Sequence, residues 1–310
     1  MTAFFSASGL SVHYQTPAGS LRAVEDVSFE IGRGETLGIV GESGCGKSTL
    51  ARAVMKLLTP TSGSMRLDGR EIAVLSRQAF REDRSRIQMV FQDPFSSLNP
   101  RKRIFRILDE ALVVKGLKSG DERRARVITA LKAVGLDAGS AEKYPHEFSG
   151  GQRQRIGIAR ALIVEPDLVV CDEAVSALDV SVRAQILNLL MELQERLRVS
   201  YLFISHDLEV VEHVSDRVAV MYLGEFVEVA ESRSLWSAPR HPYTRSLIDA
   251  DPANPGFFES RLTGEPPSPL APPSGCRFHP RCPIAVERCK TERPALREVT
   301  AGHSARCHLA

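Results

Sequence analysis

The chain has 310 residues, a net charge of +2, and 43% hydrophobic and 25% charged residues, ordinary globular values that allow one large domain with an appendage, or two domains. So balanced a charge gives no polyelectrolyte pull toward nucleic acid, and no run of about 18 apolar residues is present to cross a membrane. Met1 to Leu10 lack the basic and long apolar regions of a signal peptide, so a cytoplasmic setting with reduced thiols is expected.

In chain order, the first strong signal is the apolar run Thr36 to Val40, which predicts a buried strand. It leads into Gly41-Glu42-Ser43-Gly44-Cys45-Gly46-Lys47-Ser48-Thr49, with every fixed position of a phosphate-binding loop filled. Gly41, Gly44 and Gly46 permit the tight turn that aims backbone N–H groups at phosphate. Lys47 can reach the β and γ phosphates, and the Ser48 hydroxyl can ligate Mg²⁺. Thr49 to Leu58 predicts a helix whose positive end faces the phosphates.

A second strand is predicted at Ile87 to Phe91, followed by Gln92 in a loop that continues Asp-Pro-Phe-Ser-Ser-Leu-Asn-Pro. A loop glutamine can bind Mg²⁺ or water, a weak signal alone. Phe148 to Gln152 reads Phe-Ser-Gly-Gly-Gln. Leu168 to Glu173 is four apolar residues and two acids, as in a buried parallel strand ending at a ligand site. Asp172 is suited to hold Mg²⁺ and Glu173 to polarise a water. Ser176-Ala-Leu-Asp179 is read as the start of the next helix, with Val182, Ile186, Leu189, Leu190, Leu193 and Leu197 as its core stripe. Ser200 to Ser205 predicts another strand, ending at His206-Asp207 near the same edge as the acids.

This set, in this order, resembles the ATPase subunit of ABC transporters over residues 1 to about 240. The resemblance implies a RecA-like P-loop NTPase core of α/β class, an antiparallel β subdomain, and a helical subdomain at about 92–162. It assigns Tyr14 to stacking on the nucleotide, Gly41 to Thr49 to Walker A, and Gln92 to the Q-loop. It assigns Ser149, Gly150, Gly151 and Gln152 to the signature, Asp172 to Walker B, and Glu173 to the catalytic acid. Asp179 falls in the D-loop and His206 is the switch histidine. One departure is Ala174, where relatives commonly have Pro. The resemblance also implies ATP held between two ATPase subunits, so that Ser149 and its helix cap a γ phosphate on the partner's loop. In-line attack would then use Lys47, Mg²⁺, Glu173 and His206.

Composition shifts after residue 240. Pro-rich stretches within Glu265 to Pro273 read as a linker. Beyond it lie Cys276, Cys282, Cys289 and Cys307, spaced by five, six and seventeen residues. That spacing is not the paired pattern of common zinc ribbons. Four thiolates suit a 4Fe-4S cluster or tetrahedral Zn²⁺, or the thiols are free or disulfide-prone. Residues 271–310 carry seven Arg/Lys against three Asp/Glu, a charge that favours an anionic cluster.

His241-Pro-Tyr-Thr244, Ser97-Leu-Asn-Pro-Arg101 and Gly-Cys-Arg-Phe-His-Pro-Arg-Cys-Pro at Gly275 to Pro283 resemble oligopeptide and dipeptide importer ATPases, nearer the second ATPase of such pairs. This implies an ABC ATPase domain at 1–240 and a transporter-type extension at 241–310 ending in a Cys-rich module. It also implies a 4Fe-4S cluster, with Zn²⁺ as the alternative. The implied partners are a second homologous ATPase (or a copy of this chain), two transmembrane permeases and an extracytoplasmic substrate-binding protein, at the cytoplasmic face of the inner membrane. Import of a peptide or peptide-like solute is the leading reading. A soluble ABC ATPase acting on nucleic acid or ribosomes is the alternative, disfavoured because the chain has neither two cassettes nor a coiled-coil insertion. Being remote in sequence from the nucleotide motifs, the Cys-rich module is expected to serve structure or partner docking.

Overall fold

The computed structural model describes residues 3–76, 78–93, 97–250 and 264–310. It falls into two compact units, Met1–Leu75 with Phe203–Ala310, and Ser76–Leu202. The strands are β1 Phe5–Thr16, β2 Gly19–Ile31, β3 Thr36–Val40, β4 Ser62–Leu67, β5 Arg70–Glu71, β6 Ile87–Val90, β7 Leu168–Asp172, β8 Ser200–Ile204, β9 Arg217–Tyr222, β10 Glu225–Glu231, β11 Arg297–Thr300 and β12 His303–Ala305. The helices are α1 Lys47–Val54, α2 Ile104–Lys115, α3 Gly120–Ala133, α4 Gly150–Leu162, α5 Val180–Leu197, α6 Leu208–Val214, α7 Ser232–Ser237, α8 Pro242–Asp249 and α9 Glu287–Thr291.

In the first unit, β2-β1-β4-β5 form an antiparallel sheet. A second layer is ordered β11-β12-β10-β9-β3, with β3 parallel to β9 and β9 antiparallel to β10. The β9–β10 hairpin turns on Leu223 (φ 44°) and Gly224 (φ 84°), the paired positive φ that matches strand twist in a two-residue loop. Phe29 joins the layers, its ring 5.9 Å from Phe5 and 6.0 Å from Phe226. All five residues of β3 are buried, which is why its sequence reads as a continuous apolar run.

In the second unit β6 pairs parallel with β7 from Ile87↔Leu168 to Val90↔Cys171. Helices α2, α3 and α4 pack together, and α4 also meets β6 and α5. Gly116 (φ 100°) ends α2 and Ser119 caps α3, its side chain accepting from the Glu122 N–H. All three helices lie inside the span 92–162 expected for the helical subdomain.

Two sequence expectations shift. The helix after the glycine loop runs over Lys47–Val54, earlier than Thr49 to Leu58, because Gly46 already takes the N-cap place. Helix α5 begins at Val180 with Asp179 as its N-cap residue. Ile186, Leu189, Leu190 and Leu193 of the expected stripe are buried, whereas Val182 is half-buried and Leu197 is 50% exposed, in the last turn before left-handed Arg198.

Candidate functional site

Strand β3 sets where the glycine loop starts, since its register against β9 fixes Val40 opposite Val220. Gly41 (φ 153°) and Gly46 (φ 113°) turn where no side chain fits. A Cβ would lie 2.2 Å from the Met221 carbonyl oxygen at the first and 2.1 Å from that of Ala23 at the second. Gly44 (φ 78°) faces open space, and Ser43 beside it is exposed. Helix α1 starts with no side-chain cap, and a helix N-terminus of that kind favours an anionic acceptor.

Lys47 is only 5% exposed. Its Nζ donates to the carbonyl oxygens of Gly41 (2.6 Å) and Glu42 (3.0 Å) and lies 3.8 Å from Cys45 Sγ. Burial pushes the Cys45 thiol pKa up, with Lys47 opposing. An ammonium held on carbonyl oxygens can exchange them for phosphate oxygens without leaving its place. Ser48 is exposed and Thr49 half-buried. Tyr14 is half-buried on β1, opposite Leu21 of β2. His206 is exposed after β8, next to Asp207, which caps α6 by accepting from the Val210 N–H.

In the second unit β7 ends at half-buried Asp172, and Glu173 has φ 49°, a left-handed conformation rare for a residue with a side chain. The Gln92 Nε2 donates to Glu173 Oε2 at 2.7 Å, so the structure joins two residues 81 positions apart. Of the loop after Gln92, Pro94, Phe95 and Ser96 lie outside the described residues. Ser149 caps α4 reciprocally: its hydroxyl accepts from the Gln152 N–H (3.3 Å) and its N–H donates to Gln152 Oε1 (3.0 Å). A Cβ on Gly151 would stand 2.5 Å from Val182 Cγ1, so glycine lets α4 and α5 approach.

The six cysteines are free thiols. Cys276, Cys282, Cys289 and Cys307 share one neighbourhood. Burial raises the Cys276 thiol to about 11, opposed by the Phe278 N–H and reinforced by the other three. The Cys276 N–H donates to the Cys289 carbonyl (2.8 Å) and the Leu309 N–H to Cys307 Sγ (3.4 Å). Among the described residues, however, no three His, Cys, Asp or Glu side chains are set as they stand to hold a metal ion.

The model of the ABC transporter family matches residues 24–176, and that of the oligopeptide/dipeptide transporter C-terminal region matches residues 227–289. A putative peptide import ATP-binding protein of Brucella ovis is 52% identical over 309 residues, covering 99% of this chain and 98% of its own. The oligopeptide transport ATP-binding protein AppF of Bacillus subtilis is 50% identical, covering 96% and 92%. The chain belongs to the ATP-binding subunits of ABC transporters. Among solved structures, an ATP-binding cassette dimer in a post-hydrolysis state with ADP and Pi is 30% identical with a TM-score of 0.67, covering 74% of this chain and 99% of that one.

Membership of the ABC ATPases implies ATP and Mg²⁺ as ligands. Sequence reasoning missed several residues, two of them against the glycine loop. The Arg281 guanidinium grips the Glu42 carboxylate, the Tyr243 hydroxyl accepts from the Glu42 N–H, and the buried Gln154 donates to the Ala174 carbonyl at 2.6 Å. Glu228, fully buried, accepts from the N–H groups of Arg240 (2.6 Å) and His241 (2.8 Å) and pairs with His303 Nε2 (2.6 Å). Tyr243 and Arg281 sit within the phrases that marked the extension, but no local pattern names their partner some 200 residues away.

Proposed function

We propose that this ABC ATPase hydrolyses ATP to drive import of a peptide or peptide-like solute through an inner-membrane permease. The observation that carries this reading is the match to peptide-import ATP-binding proteins along the whole chain, cassette and C-terminal region alike. The reading divides the chain into an ATPase domain, 1–240, and an extension, 241–310.

Lys47 and the backbone N–H groups of Gly44 to Thr49 bind the β and γ phosphates, and Tyr14 stacks on the base. Ser48, Gln92 and Asp172 offer hydroxyl, amide and carboxylate oxygens suited to Mg²⁺, which when bound screens phosphate charge. Glu173, oriented by its amide partner Gln92, polarises the attacking water, and His206 donates toward the γ phosphate. Ser149 to Gln152 and Asp179 serve the nucleotide on a second ATPase, homologous or identical.

Two permease subunits and an extracytoplasmic binding protein complete the assembly, and nucleic acid has no part. The subunit takes a peripheral place on the cytoplasmic face; no helix among the described residues is long and apolar enough to cross a membrane. The four clustered thiols form a soft donor set suited to a 4Fe-4S cluster, with Zn²⁺ as the alternative. Anaerobic protein should contain iron and Cys289→Ser should lose it; zinc without iron decides for the alternative.

The test of function is reconstitution. The chain should co-purify with its permeases, and ATP turnover in vesicles should rise with a peptide-loaded binding protein. Turnover indifferent to permease and peptide would contradict import.

A further inference from the structure

Glu42 puts a carboxylate inside a loop proposed to bind a polyanion. Left alone it would repel phosphate and compete for Lys47. The structure shows how it is controlled, entirely within the first unit. The Arg281 fork donates Nη1 to Oε2 (2.8 Å) and Nη2 to Oε1 (3.0 Å) of Glu42, a bidentate geometry that fixes direction as well as charge. Arg281 is 7% exposed, and its guanidinium lies over the Tyr222 ring, 5.9 Å from the centroid. A guanidinium so enclosed requires its acid.

The backbone of the same residue is also held. The Glu42 N–H donates to the Tyr243 hydroxyl at 2.9 Å, and its carbonyl accepts from Lys47 Nζ at 3.0 Å. Tyr243 in turn packs 4.6 Å from Tyr222 and 5.4 Å from Phe278, centroid to centroid. Besides Lys47, the Cys45 N–H donates to the Glu42 carbonyl (3.3 Å), and the other two grips come from the C-terminal extension, from α8 and from the turn at His279–Arg281.

We propose that Arg281 and Tyr243 are positioning residues of the nucleotide site. Arg281 turns the Glu42 carboxylate away and cancels its charge, Tyr243 fixes the peptide plane that starts the loop, and the extension thereby sets affinity for the nucleotide phosphates. This rests on the Walker A reading of Gly41 to Thr49.

The test is titration of the full chain with Mg·ADP by calorimetry. Arg281→Ala should raise Kd about tenfold. Adding Glu42→Gln to that variant should bring Kd back to within about threefold of the parent, since a neutral amide needs no counter-cation. A merely structural arginine would show no such rescue. Arg281→Lys, a point charge without the fork, should fall between. Tyr243→Phe keeps the ring and removes only the acceptor, and should weaken binding by a few fold. A folded Arg281→Ala chain with parental affinity, or one not rescued by Glu42→Gln, overturns the proposal. Should Arg281→Ala not fold, parental affinity in both Arg281→Lys and Tyr243→Phe overturns it. A parent that binds no Mg·ADP overturns this inference and the nucleotide reading together. A parent that binds, with Lys47→Ala that does not, leaves the nucleotide reading standing whatever Arg281 does.

Discussion

Helices α1 and α4 are both assigned to phosphate, yet their N-termini are built in opposite ways. Helix α1 has no side-chain cap, a glycine in the N-cap place, and a loop braced from outside by β9, Tyr243 and Arg281. Helix α4 is self-sufficient, with Ser149 and Gln152 satisfying each other's backbone. The difference fits the roles proposed for them. A loop that holds nucleotide on its own subunit must be rigid and must not depend on side-chain caps of its own. A segment that meets nucleotide only when a second subunit arrives must be stable without it, and its cap can then be given up to the ligand.

The bracing of α1 can be broken most sharply at Gly46. Gly46→Ala puts a Cβ into the Ala23 carbonyl at a left-handed φ, and should cost about 3 kcal/mol of stability. Mg·ADP binding should be lost with it, while the fold of the second unit should survive. Calorimetry and limited proteolysis check both.

Acid should come next. His241 is enclosed and its pKa is lowered from 6.5 to about 4, chiefly by burial, with Glu228 opposing and Arg245 assisting. The neutral ring is the folded form, so its contribution is whole above the unfolded value. It is lost as pH falls from about 6.5 toward 4, by an amount of order 3 kcal/mol. His241→Asn, which takes up no proton, should flatten melting temperature across that window. An equally steep fall in the variant would remove His241 as the cause.

The smallest effect should be at the other helix. Ser149→Ala removes the cap of α4 and should cost about 1 kcal/mol. Mg·ADP binding at the chain's own loop should stay near parental, while ATP turnover of the assembled transporter falls much further than stability does. Turnover that tracks stability alone would reduce Ser149 to a cap.

The parts legible in the sequence are those whose signal is local. Thr36 to Val40 is a strand with the bounds read for it, because a strand buried on both faces must be apolar throughout. Leu168 to Asp172 was legible for the same reason. Gly41 and Gly46 were read as turn formers, but what excludes a side chain there is the backbone of β9 and β2, which no local pattern discloses. Strand β10 is the clearest limit. Glu225 and Glu228 look like solvent-facing positions, yet both are buried, because Arg277, Arg293 and His303 arrive from the extension to pair with them. The same distance hid the Arg281–Glu42 pair. The Cys-rich segment is remote in sequence from the nucleotide motifs, yet Arg281, the residue before Cys282, pairs with Glu42 of the glycine loop.

The most direct test of the ATPase assignment is turnover by Glu173→Gln. The amide can neither orient nor deprotonate water, so hydrolysis by the assembled transporter should fall by about 100-fold or more. ATP should remain bound, because Lys47 and the loop are untouched. Near-parental hydrolysis by Glu173→Gln would contradict it.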